Sequence, residues 1–322
     1  QTELSRWVPT LPRATSAVRL QTMAQAPALD FPSFVAQRRE NRITTGGLVE
    51  ASGHEYAYVS DKQTRAAFER MKPVEMAVAA SVRMWKQVAR NQLLGSGVRV
   101  SDRQFPRIQH LTQRCADTLH IPTPQVYIVN HPTLNAATYG TNEEAFIMVH
   151  SALVDHYSDE ELMTVIGHEC GHIHNSHVVY LTALHVLTRV AGAMVQWAMQ
   201  PALVALLAWS RRAEITCDRA GMLCSQSSDV SGRALTKLAL GSRKLYEEFN
   251  LDAFLEQYEE GKEGIGKYME AFASHPYLPK RVLAMRVFAE SALYKKATGD
   301  AGAGLTMQEV DERVRALLKG DA

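Results

Sequence analysis

The chain has 322 residues, a formal net charge of +1 and 46% hydrophobic residues. This length favours one large domain with extensions over two equal domains, and the near-neutral charge speaks against a nucleic-acid partner. The four cysteines show no Cys-x-x-Cys pair and no secreted-scaffold spacing. They indicate free thiols in a reducing compartment, hence a cytoplasmic protein, with a peripheral membrane or periplasmic location as the alternative.

Three regions are predicted along the chain. Residues 1–61 form an N-terminal extension with a short β arm, in which Leu48–Glu50 and Tyr56–Val59 flank a Ser-Gly turn as a two-stranded ribbon. Residues 62–295 form the main domain. Residues 296–322 form a linker and a C-terminal helix, which we expect to dock on the same domain or to reach a partner.

The first half of the main domain is predicted to carry two helices and a small sheet. Residues 62–94 are helical with a break at Pro73, and a second helix covers about 102–119. Short strands follow at 125–129, around 135–140 and at 145–149. We expect one strand between 135 and 149 to be an open edge that binds an extended peptide, and a fully paired sheet is the alternative.

The most informative stretch is His168-Glu169-Cys170-Gly171-His172, within a run of helical periodicity. Ser158 followed by Glu161 predicts a capping box at the start of this helix. Residues four apart share a helix face, so His168 and His172 can bind one metal ion, and Glu169 can reach a water on that ion. The alternative is a buried helix with two hydrogen-bonded histidines and an incidental glutamate.

Neighbouring side chains of this motif receive less specific roles. His174 cannot share the face of the histidine pair, and His177, five residues after His172, is poorly placed for the same ion. We therefore expect solvent exposure or a supporting role for His174 and no special role for His177. Cys170 is expected to be packed in the interior.

A catalytic zinc site needs a third protein ligand from elsewhere in the chain. Glu214 and Asp218 lie four apart in a helical segment, so Glu214 could bind the metal while Asp218 holds a histidine ring nitrogen. The alternative is an exposed helix in which nearby arginines pair with the two acids.

The interval before Glu214 contains residues 190–210, which carry no charge. Two membrane spans would need about 40 apolar residues and do not fit between His172 and Glu214. We predict a hydrophobic hairpin, broken near Gln200-Pro201, that packs on the domain, lies in a dimer or rests on a membrane surface.

The order of these motifs resembles that of the gluzincin metallopeptidases of the HtpX and CAAX-prenyl-endopeptidase type, over roughly residues 75–292. Asn135-Ala136-Ala137-Thr138-Tyr139-Gly140 resembles the family's Asn-Ala-Phe-x-x-Gly strand, with Ala137 in place of the usual aromatic residue. Ser274-His275-Pro276 followed by Arg281 resembles its Ser-His-Pro-x-x-x-x-Arg signature.

The resemblance implies an α+β, mainly helical fold, a zincin-like domain with a small sheet beside the active-site helix. It implies one Zn²⁺ per chain, bound by His168, His172 and Glu214, with Glu169 as general base. Asp218 and Asn135 are assigned supporting positions. His275 and Arg281, with Tyr139 and Tyr277 as further candidates, would stabilise the charge that develops on the substrate carbonyl. Alternatively, His275 could bind the zinc ion and hold the enzyme latent.

The predicted function is a zinc-dependent endopeptidase that hydrolyses peptide bonds in protein substrates, for instance in quality control. A dedicated processing protease with one partner substrate is an alternative, and so is a latent or non-catalytic, chaperone-like binding protein. The expected partner is a protein or peptide substrate. Homo-oligomerisation and peripheral membrane contact through residues 190–210 stay open as alternatives.

Overall fold

A computed structural model describes residues 54–68, 70–84, 95–141, 144–190, 197–260 and 278–318. Its helices are α1 (Val59–Phe68), α2 (Lys72–Met84), α3 (Pro106–Leu119), α4 (Ser151–His156), α5 (Asp159–His174), α6 (Val178–His185), α7 (Gln200–Ser225), α8 (Ser228–Leu240), α9 (Arg243–Glu248), α10 (Leu251–Glu260), α11 (Leu278–Ala289), α12 (Ala292–Ala297) and α13 (Met307–Leu317). A π-helical turn (Val186–Val190) continues α6.

The described part of the chain forms one mixed sheet of four strands. These are β1 (Gly97–Arg99), β2 (Gln125–Val129), β3 (Ala136–Gly140) and β4 (Ala145–His150), in the order β1-β2-β4-β3. The pair β2 and β4 is parallel, and the other two pairs are antiparallel. Strand β3 is therefore an edge of this sheet, which agrees with the predicted edge between 135 and 149. The predicted mainly helical α+β fold is confirmed.

Helices α5 and α7 make the most extensive contact between elements in the described fold. Their approach is close because glycines lie at the contact. A Cβ atom added to Gly171 would lie 2.7 Å from Ala220 Cβ, and one added to Gly167 would lie 2.7 Å from Cys224 Cβ. On α7, a Cβ atom added to Gly221 would lie 2.7 Å from the carbonyl oxygen of Thr164. Small residues on both helices thus bring their backbones together.

The break predicted near Gln200-Pro201 is confirmed, because α7 begins there with the proline in its first turn. Among the residues that the structure describes, no helix has both the length and the apolar character needed to cross a membrane. The break at Pro73 is likewise confirmed, since α1 ends at Phe68 and α2 begins at Lys72.

One predicted strand is wrong. Residues Tyr56–Tyr58 lie in a turn that leads into α1, and Leu48–Glu50 lie outside the described residues. The backbone of this turn bonds to side chains of α7, not to a strand: Tyr58 N donates to Thr216 Oγ1, and Tyr56 O accepts from Arg219. The alternating tyrosines are buried against the domain, which produces a strand-like pattern without a strand.

The C-terminal helix α13 docks on the same domain, as one of the predicted alternatives states. Thr306 and Glu309 form the predicted capping box at its start. Asp311 then pairs with Arg219 of α7 at 2.8 Å and accepts a hydrogen bond from Val59 N at the start of α1. This carboxylate therefore joins α1, α7 and α13.

Candidate metal centre and active site

Helix α5 presents the three residues of the His-Glu-x-x-His motif in the predicted arrangement. Ser158 and Glu161 form the predicted capping box, which satisfies backbone donors at its N-terminus. Glu169 and His172 are buried, and His168 is partly exposed. The rings of His168 and His172 have centroids 5.0 Å apart.

Glu214 of α7 meets both histidines. His168 Nε2 lies 3.5 Å from Glu214 Oε2, and His172 Nε2 lies 3.7 Å from Glu214 Oε1. Two ligand atoms that each lie about 2.1 Å from a tetrahedral zinc ion are about 3.4 Å apart. Imidazole nitrogen and carboxylate oxygen also suit Zn²⁺. The three side chains therefore fit a zinc ion in both ligand type and spacing.

Asp218 supports this group from one turn further along α7. Its Oδ1 lies 3.0 Å from His168 Nδ1, which leaves His168 Nε2 to face Glu214. Burial alone would raise the pKa of Asp218, but Arg281 and His168 outweigh it and lower the pKa below its ordinary value. The carboxylate is thus held ionised, as an acceptor for the ring N–H of His168.

Arg281 contacts carboxylates through all three guanidinium nitrogens. Its Nε and Nη2 donate to the two oxygens of Asp218 at 2.8 and 2.6 Å, and its Nη1 lies 3.0 Å from Glu214 Oε2. Against the effect of burial, Asp218 and Glu214 raise the pKa of Arg281. Arg281 therefore fixes the orientation of both acids. The predicted role of Arg281 on the substrate carbonyl stays a prediction.

Glu169 is oriented by the edge strand. Thr138 Oγ1 of β3 donates to Glu169 Oε2 at 2.6 Å, and both residues are buried. A hydrogen bond to an ionised carboxylate is stronger than one between neutral groups. The sequence analysis did not single out Thr138, because the family's motif leaves this position unspecified.

His177 was expected to be poorly placed for the ion that His168 and His172 could bind, and the structure places it beside the other nitrogen of the His172 ring. It is fully buried, and its Nδ1 lies 3.1 Å from His172 Nδ1. The chain turns sharply after α5, with Ser176 at a φ of 56°, and this turn brings His177 back beside the ligand helix. His174, by contrast, is held in a supporting contact, because its Nδ1 lies 2.9 Å from the hydroxyl of Tyr56.

Cys217 is close enough to the histidine pair to form an alternative three-ligand set with it. Its Sγ lies 3.2 Å from His172 Nδ1, however, and not on the Nε2 side that faces Glu214. Burial, followed by nearby carboxylates, raises the pKa of this thiol well above its ordinary value. Glu214, and not Cys217, is thus the side chain that faces the Nε2 atoms of both histidines. Cys170 is buried, as predicted.

The proposed metal ligands and the side chains that contact them lie in a cleft of about 670 Å³. Asn135 and Tyr139 line it beside β3, and leucines contribute an apolar wall: Leu134, Leu181, Leu184, Leu207, Leu235 and Leu238. The structure thus brings together His168, Glu169, His172, Glu214, Asp218, Arg281 and Asn135. The predicted candidates His275 and Tyr277 lie outside the described residues, so their roles stay predictions.

A helix that carries a His-Glu-x-x-His motif, joined by a glutamate from a second helix, defines a metal-dependent peptidase site of the gluzincin type. Residues 102–288 match peptidase family M48, and the chain belongs to this family of zinc metallopeptidases. The resemblance found in the sequence is thereby confirmed.

Named relatives agree with this assignment. The chain is 32% identical over 242 residues to plastoglobule-localized metallopeptidase 48, chloroplastic, of Arabidopsis thaliana, and the match covers 70% of each protein. It is 28% identical to a protease HtpX homolog of Moorella thermoacetica, across 58% of this chain and 73% of the relative. A protease HtpX homolog of Streptococcus gordonii is 27% identical, over 58% and 75%. No solved structure matches the chain significantly.

Proposed function

We propose that this protein is a zinc-dependent endopeptidase that cleaves peptide bonds in protein substrates, with Glu169 as general base. The observation that carries the proposal is the approach of both Nε2 atoms to the Glu214 carboxylate, at 3.5 and 3.7 Å, in the wall of a cleft. The buried, threonine-bonded Glu169 supports catalysis over a purely structural metal, because a structural zinc ion needs no general base and favours four protein ligands.

His168, His172 and Glu214 would hold the metal. When bound, Zn²⁺ lowers the pKa of a coordinated water and polarises the carbonyl of the scissile bond. Asp218 keeps the Nδ1 proton of His168 in place, and Arg281 holds Glu214 and Asp218 at fixed distances. These contacts preorganise two of the three ligands, His168 and Glu214, before the metal arrives.

Glu169 performs the proton transfers. Its carboxylate takes a proton from the attacking water and then delivers it to the leaving amine. Thr138 bonds to Oε2 and thereby fixes the orientation of this carboxylate. Because Thr138 belongs to the edge strand, the strand that would bind substrate also aims the base.

The substrate would bind as an extended segment along β3. In the described structure this strand pairs with β4 on one side only, and its residues Ala136–Tyr139 line the cleft. Main-chain hydrogen bonds at a strand edge fix a peptide whatever its side chains are. Such binding suits a protease that accepts many unfolded proteins, and this favours the quality-control interpretation over one dedicated substrate.

The test is the variant Glu169→Gln with casein as substrate. We expect turnover to fall by about 10²–10⁴-fold while zinc stoichiometry is unchanged, because only the proton transfer is lost. Glu160→Gln is the matched control, since Glu160 is an exposed acid in the first turn of the same helix. His168→Ala should lose both zinc and activity. Normal turnover by Glu169→Gln would refute the general-base role.

A peptide library, with and without a chelator, separates the alternatives. Broad, chelator-sensitive cleavage supports the general endopeptidase, and a narrow consensus supports a dedicated processing protease. Absence of cleavage by the zinc-loaded protein supports the non-catalytic binding protein.

A further inference from the structure

Behind the proposed metal ligands lies a buried row of three side chains. His172 Nδ1 lies 3.1 Å from His177 Nδ1, and His177 Nε2 lies 3.1 Å from Asp61 Oδ2. His177 is 0% exposed and Asp61 is 1% exposed. The row runs from the ring nitrogen of His172 that does not face Glu214 to a carboxylate on α1.

Asp61 is itself held in place on several sides. Trp209 Nε1 donates to its Oδ1 at 2.8 Å, and the Thr216 hydroxyl donates to its Oδ2 at 2.7 Å. Two such donors favour the ionised form of this buried carboxylate. A buried, ionised carboxylate accepts hydrogen bonds and donates none.

The geometry of the row fits one arrangement of ring protons. An N–H at His177 Nε2 would face the Asp61 carboxylate at 3.1 Å and leave His177 Nδ1 as an acceptor. That nitrogen can accept the Nδ1–H of His172. His172 then keeps its Nε2 lone pair, which faces Glu214 and is the form a metal requires.

We propose that Asp61 and His177 are positioning residues that fix the tautomer and the ring orientation of His172 for metal binding. The inference rests on the proposed function. It assigns a role to a helix outside the segment that defines the family, because the match covers residues 102–288 and α1 spans Val59–Phe68. The N-terminal helix is thus part of the metal centre, although it supplies no ligand.

The test measures the zinc dissociation constant of the full chain by competition with a chromophoric chelator. In Asp61→Asn the side-chain amide can donate to His177 Nε2. The proton of the His177 ring then lies on Nδ1, where it faces the Nδ1–H of His172. Loss of such a supporting partner weakens metal binding by about 10–100-fold. We expect the zinc dissociation constant to rise by that factor. The melting temperature of the zinc-free protein should fall less than in the control variant Asp311→Asn.

Asp311→Asn is the matched control. Asp311 is another buried carboxylate that holds α1, through Val59 N, but it pairs with Arg219 and does not touch the row. We expect it to lower the stability of the zinc-free protein and to leave zinc affinity within about twofold of wild type. If both variants weaken zinc binding equally, Asp61 acts only through the docking of α1, and the proposal is overturned.

A double-mutant cycle with His177→Phe keeps the inference testable if Asp61→Asn folds poorly. His177→Phe should weaken zinc binding alone, and Asp61→Asn should add little to it, since both act through the same contact. Additive losses, or wild-type affinity in His177→Phe, would overturn the proposal. If wild type binds no more zinc than His172→Ala does, the proposed function itself fails. If wild type and Asp61→Asn both bind zinc normally, only the positioning role of Asp61 and His177 is refuted.

Discussion

The glycine contact between α5 and α7 gives the sharpest prediction about the metal centre. In Gly171→Ala the new Cβ atom would lie 2.7 Å from Ala220 Cβ, whereas ordinary contacts begin at 3.4 Å. The next atoms are Cys217 Cα at 3.2 Å and Cys217 Sγ at 3.4 Å, so rigid backbone stands in the way. The two helices must therefore separate locally by about 0.7 Å, or the substituted helix must rotate by a similar displacement.

The effect on stability is a balance of two terms. Alanine gains about 1 kcal/mol over glycine in a helix, and overpacking costs about 1–3 kcal/mol. We expect the zinc-free variant to lie between unchanged and about 2 kcal/mol less stable. Zinc affinity should suffer more, because metal–ligand distances tolerate only about 0.2 Å and Glu214 is carried by the displaced helix. A loss of about 10–100-fold, comparable to the loss of a supporting hydrogen bond, is expected.

Gly232→Ala is the matched control. Gly232 lies within α8, and a Cβ atom added there meets nothing within 4 Å. This variant should be about 0.4–1 kcal/mol more stable and bind zinc as wild type does. Chemical denaturation of the zinc-free proteins and chelator competition measure the two quantities. The reasoning is refuted if Gly171→Ala behaves like Gly232→Ala in both assays.

Two further predictions concern the supporting contacts. Thr138→Val removes the 2.6 Å hydrogen bond to Glu169, so kcat should fall about tenfold or more with KM and zinc content unchanged, and steady-state kinetics that match wild type would contradict this. Burial, followed by His54 and His120, lowers the pKa of His174 to about 3. The unfolded chain therefore binds a proton near pH 6.5 that the folded chain does not, and this lowers stability progressively as the pH falls below that value. In urea unfolding of the zinc-free protein at about pH 7.5 and about pH 5, His174→Gln should lose less stability than wild type, and an equal loss would contradict the assignment.

The chemistry on a single helix could be predicted from the sequence because helical spacing is fixed. The relative positions of His168, Glu169 and His172 can be predicted without the tertiary fold, because a single helical turn determines them. The same holds for Glu214 and Asp218 on α7. What joins the two groups is the packing of α5 on α7. The residues offered Glu214 as one candidate for the third ligand, and the resemblance to a family favoured it over the exposed-helix alternative.

One wrong strand and one unforeseen contact arise where a sequence pattern has two physical origins. Tyr56–Val59 alternates in the manner of a strand, yet its backbone bonds to Thr216 and Arg219 and its side chains fill the interior. His177 was set aside because five residues is the wrong spacing on a helix. The helix ends before it, however, and the turn at Ser176 removes the helical constraint on which that reasoning depended.

The position of the glycines shows how helix packing brings the ligands of α5 and α7 together. Gly167 and Gly171 repeat with the same spacing of four as His168 and His172, one residue earlier, so the packing face and the ligand face lie about 100° apart on α5. Glu214 reaches both imidazoles across a contact at which the two helix backbones approach closely. A bulky residue at either glycine would leave the His-Glu-x-x-His motif intact in the sequence while it moved the third ligand away. The motif therefore specifies two ligands, and the small residues beside it determine whether the third can reach them.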